Sequence, residues 1–240
     1  YPIEEGSWHY KEMLLAAGSS TLTQAFEAPK NTTAYKELDV YNKKCKGAIK
    51  RASSSKEERR ELKKEIEEKT SEIPENNLLF WGSWFCEGLL QRCKNHIQVF
   101  LTDEEVSLIN EIISYLWNLV DEKEQMDMSK INSLYERLND IDETDLDATD
   151  YQQEEIYELI VSLDDILRYC QSGVRGFEDN ISQSIINVID IMLQDEDKDI
   201  LSEEGFQDAL VQNEVKAQFE MISLLKEKKL TSEFKHYLRK

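Results

Sequence analysis

Apolar residues recur every three to four positions along most of the last two-thirds of the chain. The clearest stripe follows Thr102 and consists of Val106, Ile109, Ile112, Ile113, Leu116, Trp117 and Val120. A spacing near 3.6 residues places such side chains on one face of an α-helix. Thr102 is also a capping residue, and the three acidic residues after it suit the first turn of a helix. The pattern therefore predicts a long amphipathic helix that begins after Thr102.

The same periodicity recurs in several further segments. They are residues 78–101, 131–138, 150–172, 181–192, 209–225 and 231–239, of which the first is the most apolar. The chain has only 8 Gly and 3 Pro, whereas a sheet-rich fold normally needs many turn residues. We therefore predict an all-α fold, a multi-helix bundle with at least six helices after residue 75 and negligible strand.

The first third of the chain has a different character. Residues 56–69 are almost purely charged, with Leu62 and Ile66 as the only apolar side chains, and Pro74 follows them. This composition predicts a solvent-exposed helix or helical arm. We expect an N-terminal helical segment over residues 1–72 and an acidic helical-bundle domain over residues 73–240.

The same two parts of the chain also differ in net charge. The whole chain holds 29 basic and 49 acidic residues, a formal net charge of −20. Residues 1–72 hold 14 basic and 13 acidic residues, which leaves 15 basic and 36 acidic residues, a net of −21, for residues 73–240. A field of that sign repels nucleic acid and anionic membrane and attracts basic proteins or cations. We therefore expect a basic protein partner and exclude nucleic acid and membrane as partners.

Two loops between predicted helices concentrate this negative charge. The candidate partner-binding residues in them are Asp140, Asp142, Glu143, Asp145, Asp147, Asp150, Asp195, Glu196, Asp197 and Asp199. Three interpretations are open: solvated loops that cap helices, calcium sites, or a partner-facing patch. Calcium is disfavoured because the run from Asp195 has Ile200 in place of the loop glycine and Phe206 in place of the closing glutamate.

The sequence offers few groups for metal or catalytic chemistry. Cys86, Cys93 and His96 fall near one face of the predicted helix, but a fourth zinc ligand and a C-x-x-C pair are missing. The thiols are more simply core residues, as are Trp81 and Trp84. No phosphate loop, nucleophile elbow or zinc-protease motif is present. We predict no metal and no cofactor, and we assign no catalytic residue.

Targeting signals and disulfides are not evident either. The longest apolar run, around residues 78–85, is far shorter than the ~20 residues of a membrane span. The start of the chain does not resemble a signal peptide. Four cysteines without a dense framework are typical of reduced cytosolic thiols. We expect a cytoplasmic protein.

One helix carries a pattern similar to a known family. Its residues are Val211, Glu214, Gln218, Phe219, Glu220, Leu224 and Leu225, which read V-x-x-E-x-x-x-Q-[aromatic]-E-x-x-x-L-L. This resembles the corresponding helix of the YjaG-like bacterial proteins, an all-helical family of unknown function. Leu79-Phe80 with Cys86-Glu87, and helix 150–172 with the following glycine, agree with it. The resemblance covers residues 76–228 and implies a compact helical fold in bacterial cytoplasm, without catalytic residues.

Three functions remain open from the sequence. The first is a protein-binding module, most concretely an immunity protein that neutralises a basic nuclease-type toxin. The second is a small-ligand-binding protein or enzyme with a pocket near Trp81, Trp84 and Cys86. The third is a structural or regulatory helical protein whose charge serves solubility.

Overall fold

The computed structural model describes residues 61–238, apart from Thr144, Asp145, Ala148, Asp197, Asp199 and Leu201. The predicted features of residues 1–60 therefore lie outside the described part of the chain. Helices and turns make up everything that is described, without a strand, which confirms the all-α prediction. In this part of the chain no helix combines the length and apolar character of a membrane span.

Nine helices follow one another along the described residues. They are α1 (61–71), α2 (Glu75–Cys93), α3 (Ile97–Phe100), α4 (Asp103–Val120), α5 (Met128–Asn139), α6 (Tyr151–Ser172), α7 (Phe177–Asp195), α8 (Glu203–Phe206) and α9 (Ala209–Glu227). Two predicted elements differ from the structure. The segment 78–101 breaks after Cys93 into α2 and α3, and the terminal segment contains a short 3-10 turn, Ser232–Phe234, in place of a helix.

Capping side chains set the start of several helices. Thr102 and Glu105 form a capping box at α4, since each side chain bonds the backbone N–H of the other residue. The carboxylates of Asp127, Asp150 and Asp208 accept hydrogen bonds from the first-turn N–H groups of α5, α6 and α9. These bonds satisfy donors that a helix cannot satisfy within itself, so the chain enters each helix at a defined residue.

The core is built around α2. This helix packs on α4, α6 and α7, and α6 also packs on α7. Trp81, Trp84 and Phe85 are wholly buried, with ring centroids 4.8–5.7 Å apart. At Gly82 a Cβ atom would lie 2.4 Å from Cδ1 of Ile166. The missing side chain therefore allows α2 and α6 to approach closely.

Helix α1 is charged on its outer side but is anchored on its inner side. Ile66 and Thr70 are fully buried, and the Thr70 hydroxyl lies 3.1 Å from Oδ1 of Asp179. The Arg175 guanidinium donates to the backbone carbonyls of Thr70 and Ile73 at 3.0 and 3.2 Å. The expected solvent-exposed arm is thus buried along the face that carries its few apolar residues. The division of the chain at residue 72 stays a prediction.

The end of α9 and the residues after it form hydrogen bonds with α2. The Asn77 amide donates to the carbonyls of Leu225 and Lys228 at 2.5 and 2.9 Å. The Trp84 indole donates to the carbonyl of Tyr237 at 3.0 Å. Helix α2 therefore receives its last polar partners from residues about 150 positions later in the chain.

Candidate partner-binding site

The first predicted acidic loop lines a cleft against α6, which we call the acidic cleft. Its volume is about 560 Å³, and its lining residues are Leu138, Asn139, Asp140, Ile141, Asp142, Glu143, Ile160, Val161, Asp164 and Arg168. Helices α5 and α6 run antiparallel, because Gln171 near the end of α6 bonds Asn132 near the start of α5 at 3.0 Å. The loop that joins them therefore folds back over α6 and closes one side of the cleft.

Apolar residues anchor this loop to the bundle: Ile141 is buried, and Leu146 packs partly buried against the core. Ile141 is buried to 6% exposure, whereas Asp140, Asp142 and Glu143 are exposed. Burial of one isoleucine side chain stabilises the loop by about 1.5–3 kcal/mol relative to an exposed side chain. The loop is thus held against the bundle at Ile141, and the acidic residues beside it point to the solvent-facing side of the cleft.

One ion pair lies among the lining residues of the acidic cleft. Nε of Arg168 lies 2.8 Å from Oδ2 of Asp164, and the guanidinium lies 5.7 Å from the centre of the Tyr135 ring. The second oxygen of Asp164 is buried and has no hydrogen-bond partner among the described residues. The cleft therefore carries the carboxylates of Asp140, Asp142, Glu143 and Asp164 against one guanidinium.

Helix α6 also buries a row of glutamates that the sequence analysis missed. Glu154, Glu155 and Glu158 are each less than 9% exposed. Glu155 forms an ion pair with Nε of Arg92 at 2.9 Å and contacts Nε2 of His96 at 3.1 Å, although burial still raises the pKa of this carboxyl. One oxygen of Glu154 is buried without a described partner. This row therefore contains carboxylates with and without an ion-pair partner among the described residues.

Glu158 is the most strongly perturbed carboxyl of the row. Burial raises its pKa to about 7, a hydrogen bond from Asn187 at 2.7 Å opposes the rise, and the charges of Glu154 and Asp165 add to it. Burial also raises the pKa of Glu154. A buried carboxyl with a raised pKa favours its protonated, neutral form unless a nearby cation stabilises the carboxylate.

Tyr157 connects the buried row with the loop. Burial raises the pKa of its hydroxyl, and the charges of Glu143, Glu158 and Glu154 raise it further. The negative charges of all three carboxylates therefore affect the Tyr157 hydroxyl, although Glu143 belongs to the loop and the other two belong to α6.

The other candidate residues of the first loop have local roles. Asp150 caps α6, and Asp147 accepts hydrogen bonds from the backbone N–H and the hydroxyl of Thr149 at 2.9 and 2.7 Å. These bonds hold the pKa of Asp147 below its usual range. Asp145 lies outside the described residues. For Asp150 and Asp147 the capping interpretation and the partner-facing interpretation are compatible, since both side chains keep some exposure.

The second acidic loop lies at the end of α7. The Glu158–Asn187 bond places the start of α6 beside the C-terminal half of α7, so both loops lie at the same end of this helix pair. Asp195 and Glu196 are exposed. Lys198 lies 2.9 Å from Glu196 and 3.0 Å from Asp208, so part of the negative charge is compensated there. Asp197 and Asp199 lie outside the described residues.

The candidate zinc residues lie in different environments. Cys86 and Cys93 are buried in α2, and burial raises the pKa of the Cys93 thiol to about 12. His96 lies beyond the break of the helix and contacts Glu155 instead. Over the described residues, no three His, Cys, Asp or Glu side chains form a group that could hold a metal ion. The absence of a cofactor stays a prediction.

The candidate aromatic pocket around α2 is filled by its own side chains. Trp81, Trp84 and Cys86 have 0% exposure, and the two indoles stack with centroids 5.7 Å apart. This arrangement is that of a hydrophobic core. It gives the small-ligand hypothesis no support at this position.

Comparison with known proteins identifies no relative. No family model, no curated protein and no solved structure matches the chain. The resemblance to the YjaG-like proteins stays a hypothesis. The functional interpretation therefore depends on the geometry and charge of the site.

Proposed function

We propose that this protein binds a basic protein partner through the acidic cleft. The observation that supports the proposal is the excess of negative charge in a concave site. Asp140, Asp142, Glu143 and Asp164 line the cleft, and Arg168 is the one basic side chain among its lining residues. Exposed carboxylates around a cleft focus the field and accelerate encounter with a partner of opposite charge.

The wider charge distribution favours the same class of partner. Residues 73–240 carry a net charge of −21, which exceeds what solubility requires of a domain. A nuclease-type toxin has a basic cleft for its nucleic acid substrate, and an acidic helical surface can cover such a cleft. An immunity protein against a toxin of this kind is therefore the concrete form of the proposal.

A labelled hexa-arginine peptide provides a direct test, with fluorescence anisotropy as the measurement and hexa-glutamate as the negative control. We expect the wild-type protein to bind hexa-arginine, and binding to weaken as salt rises, mainly through a slower association rate. The test variant combines Asp140→Asn, Asp142→Asn and Glu143→Gln. Its affinity should fall about tenfold, which corresponds to about 1.4 kcal/mol.

The matched control removes the same number of charges elsewhere. It combines Glu136→Gln, Glu227→Gln and Glu233→Gln, three exposed positions outside the cleft. This variant should lose less than about threefold in affinity, since its charges act only at long range. Equal losses in the two variants would contradict the proposal and favour a structural protein whose charge serves solubility.

A nuclease partner adds a functional readout. If the proposal is correct for a toxin, the wild-type protein reduces hydrolysis of DNA by the toxin, because it covers the basic cleft. The cleft variant should require a higher concentration for the same inhibition, whereas the control variant should act like the wild type. If the cleft variant inhibits the toxin as well as the wild-type protein does, the toxin contacts another surface of the protein.

A further inference from the structure

A second cleft lies beside the C-terminal end of α2, and we call it the basic cleft. Its volume is about 610 Å³, and α2, α7, α9 and the segment after α9 all contribute lining residues. Arg92, Lys94 and His236 are the basic residues of this lining, and Glu214 is its one acidic residue. Residues 73–240 hold 15 basic and 36 acidic residues, so the lining has the opposite balance of charge to the chain around it.

Hydrogen bonds hold two of the basic side chains along one wall of the basic cleft. Glu87 is 4% exposed, and its Oε1 accepts from the Gln91 amide at 3.1 Å and lies 3.8 Å from Nδ1 of His236. The carbonyl of the Gln91 side chain accepts from Nζ of Lys94 at 3.2 Å. Gln91, itself a lining residue, therefore connects Lys94 with the part of the wall that His236 forms.

Lys94 and His236 keep hydrogen-bond donors for a ligand. Lys94 forms no ion pair within the described residues, and Nε2 of His236, a donor in the imidazolium form, has no described partner. Arg92, by contrast, is already paired with Glu155 at 2.9 Å. The end of a helix by itself favours basic side chains such as Arg92 and Lys94. It does not account for His236, which reaches the same cleft from the segment after α9.

Other lining residues of the basic cleft form an apolar surface. Ile189 of α7 and Ala217 of α9 are buried, whereas Leu210 near the start of α9 is 41% exposed. An exposed leucine beside a cleft provides apolar area that a ligand can remove from water. The lining therefore combines a few convergent polar groups with apolar side chains, as is typical of small-molecule sites.

We infer that the basic cleft binds a small organic anion, a monocarboxylate with a hydrocarbon body. Lys94 and His236 hold the carboxylate through charge-assisted hydrogen bonds, and the hydrocarbon body covers Leu210 and Ile189. A single negative charge fits best, because Glu214 repels a second one. The volume lies within the ~300–1,000 Å³ of such sites. This binding is separate from that of a basic protein, since the two clefts share no lining residue.

Octanoate is the probe that tests this inference, with isothermal titration calorimetry as the measurement. Salt at about 0.15 M screens the long-range repulsion between the chain and the anion. We expect octanoate to bind the wild-type protein about tenfold more tightly than 1-octanol, because the alcohol has no charge for Lys94. Inorganic phosphate at the same concentration should not displace octanoate, because it has no apolar body.

Matched variants locate the binding site. Lys94→Gln should weaken octanoate binding about fivefold and leave 1-octanol unchanged, whereas Lys64→Gln, at an exposed lysine of α1, should change neither. Leu210→Asn should weaken both ligands about fivefold. Its control is Val99→Asn, at a valine that is 75% exposed and lies outside the cleft. Thermal unfolding of each variant verifies that the fold is retained.

Several results would overturn the inference. The first is a wild-type protein that does not bind octanoate, or that binds 1-octanol equally well. Competition by inorganic phosphate would mean that the cleft takes an anion without an apolar body. If Lys94→Gln behaves like Lys64→Gln, or Leu210→Asn like Val99→Asn, octanoate binds at another place. None of these results affects the proposed binding of a basic protein, because hexa-arginine is tested at the acidic cleft.

Discussion

Replacement of Glu158 with glutamine should stabilise the protein above neutral pH and have a smaller effect in mild acid. Glu158 is 7% exposed and accepts a hydrogen bond from Asn187, while the nearby Glu154 and Asp165 repel its charge. Glutamine has nearly the same shape and can still accept the bond from Asn187. The substitution therefore removes mainly the cost of a buried negative charge.

The magnitude follows from the pKa of the buried carboxyl. A rise from the ordinary 4.5 to about 7 corresponds to about 3 kcal/mol of lost stability when Glu158 is ionised in the native state. The native state holds the proton more tightly, so this carboxyl contributes stability below about pH 4.5 that is lost as pH rises to about 7. At about pH 8 the free energy of unfolding of Glu158→Gln should exceed that of the wild type by about 2–3 kcal/mol. At about pH 5 the difference should be below about 1 kcal/mol.

Urea unfolding followed by circular dichroism between about pH 5 and pH 8 measures this difference. The matched control is Glu136→Gln, an exposed glutamate of α5, for which we expect a change within ±0.5 kcal/mol over the whole range. A gain in Glu158→Gln that is the same at both ends of the range would refute the reasoning. So would a loss of stability at about pH 8, because either result means that the ionised carboxylate is well solvated.

Two further substitutions test the packing. Ile160→Asp should unfold the protein, because Ile160 is 4% exposed and an unpaired buried charge costs several kcal/mol of a total near 5–15; a melting temperature equal to that of Ile160→Val would contradict this. Gly82→Ala should lower the free energy of unfolding by about 1–3 kcal/mol, since the added Cβ meets Cδ1 of Ile166 at 2.4 Å. Ile166→Val removes that atom, so the double variant should recover part of the loss in urea unfolding. If the losses in unfolding free energy of the two single variants simply add in the double variant, the contact between the new Cβ and Ile166 does not cause the destabilisation.

The helices could be predicted from the sequence because periodicity and caps agree. Thr102 caps α4 as predicted, and Asp150, where the predicted segment 150–172 begins, caps α6. The break after Cys93 could not be predicted in the same way. Ile97 continues the apolar spacing past it and is buried in α3, and the turn before it contains neither Gly nor Pro. Periodicity alone does not distinguish one long helix from two short ones in register.

The acidic loop could be located from the sequence, but the cleft could not. Asp140, Asp142 and Glu143 were identified by charge, whereas the concave shape depends on the burial of Ile141 and on the face of α6. Glu154 and Glu158 were missed because charged residues are normally assigned to solvent. The signal available was their spacing of four residues beside the apolar stripe of α6, which places both on the edge of the buried face.

The hydrogen bonds of Asn77 have a consequence for synthesis of the chain. Its amide pairs with carbonyls 148 and 151 residues later, and ribosomes add about 5–20 residues per second. Helix α2 therefore leaves the ribosome about 7–30 s before its final partners exist. During that interval the helix that carries Trp81 and Trp84 depends on incomplete packing or on chaperones to avoid aggregation. Nascent chains halted shortly before Leu225 should consequently remain sensitive to protease, even though α4, α6 and α7 have already been made.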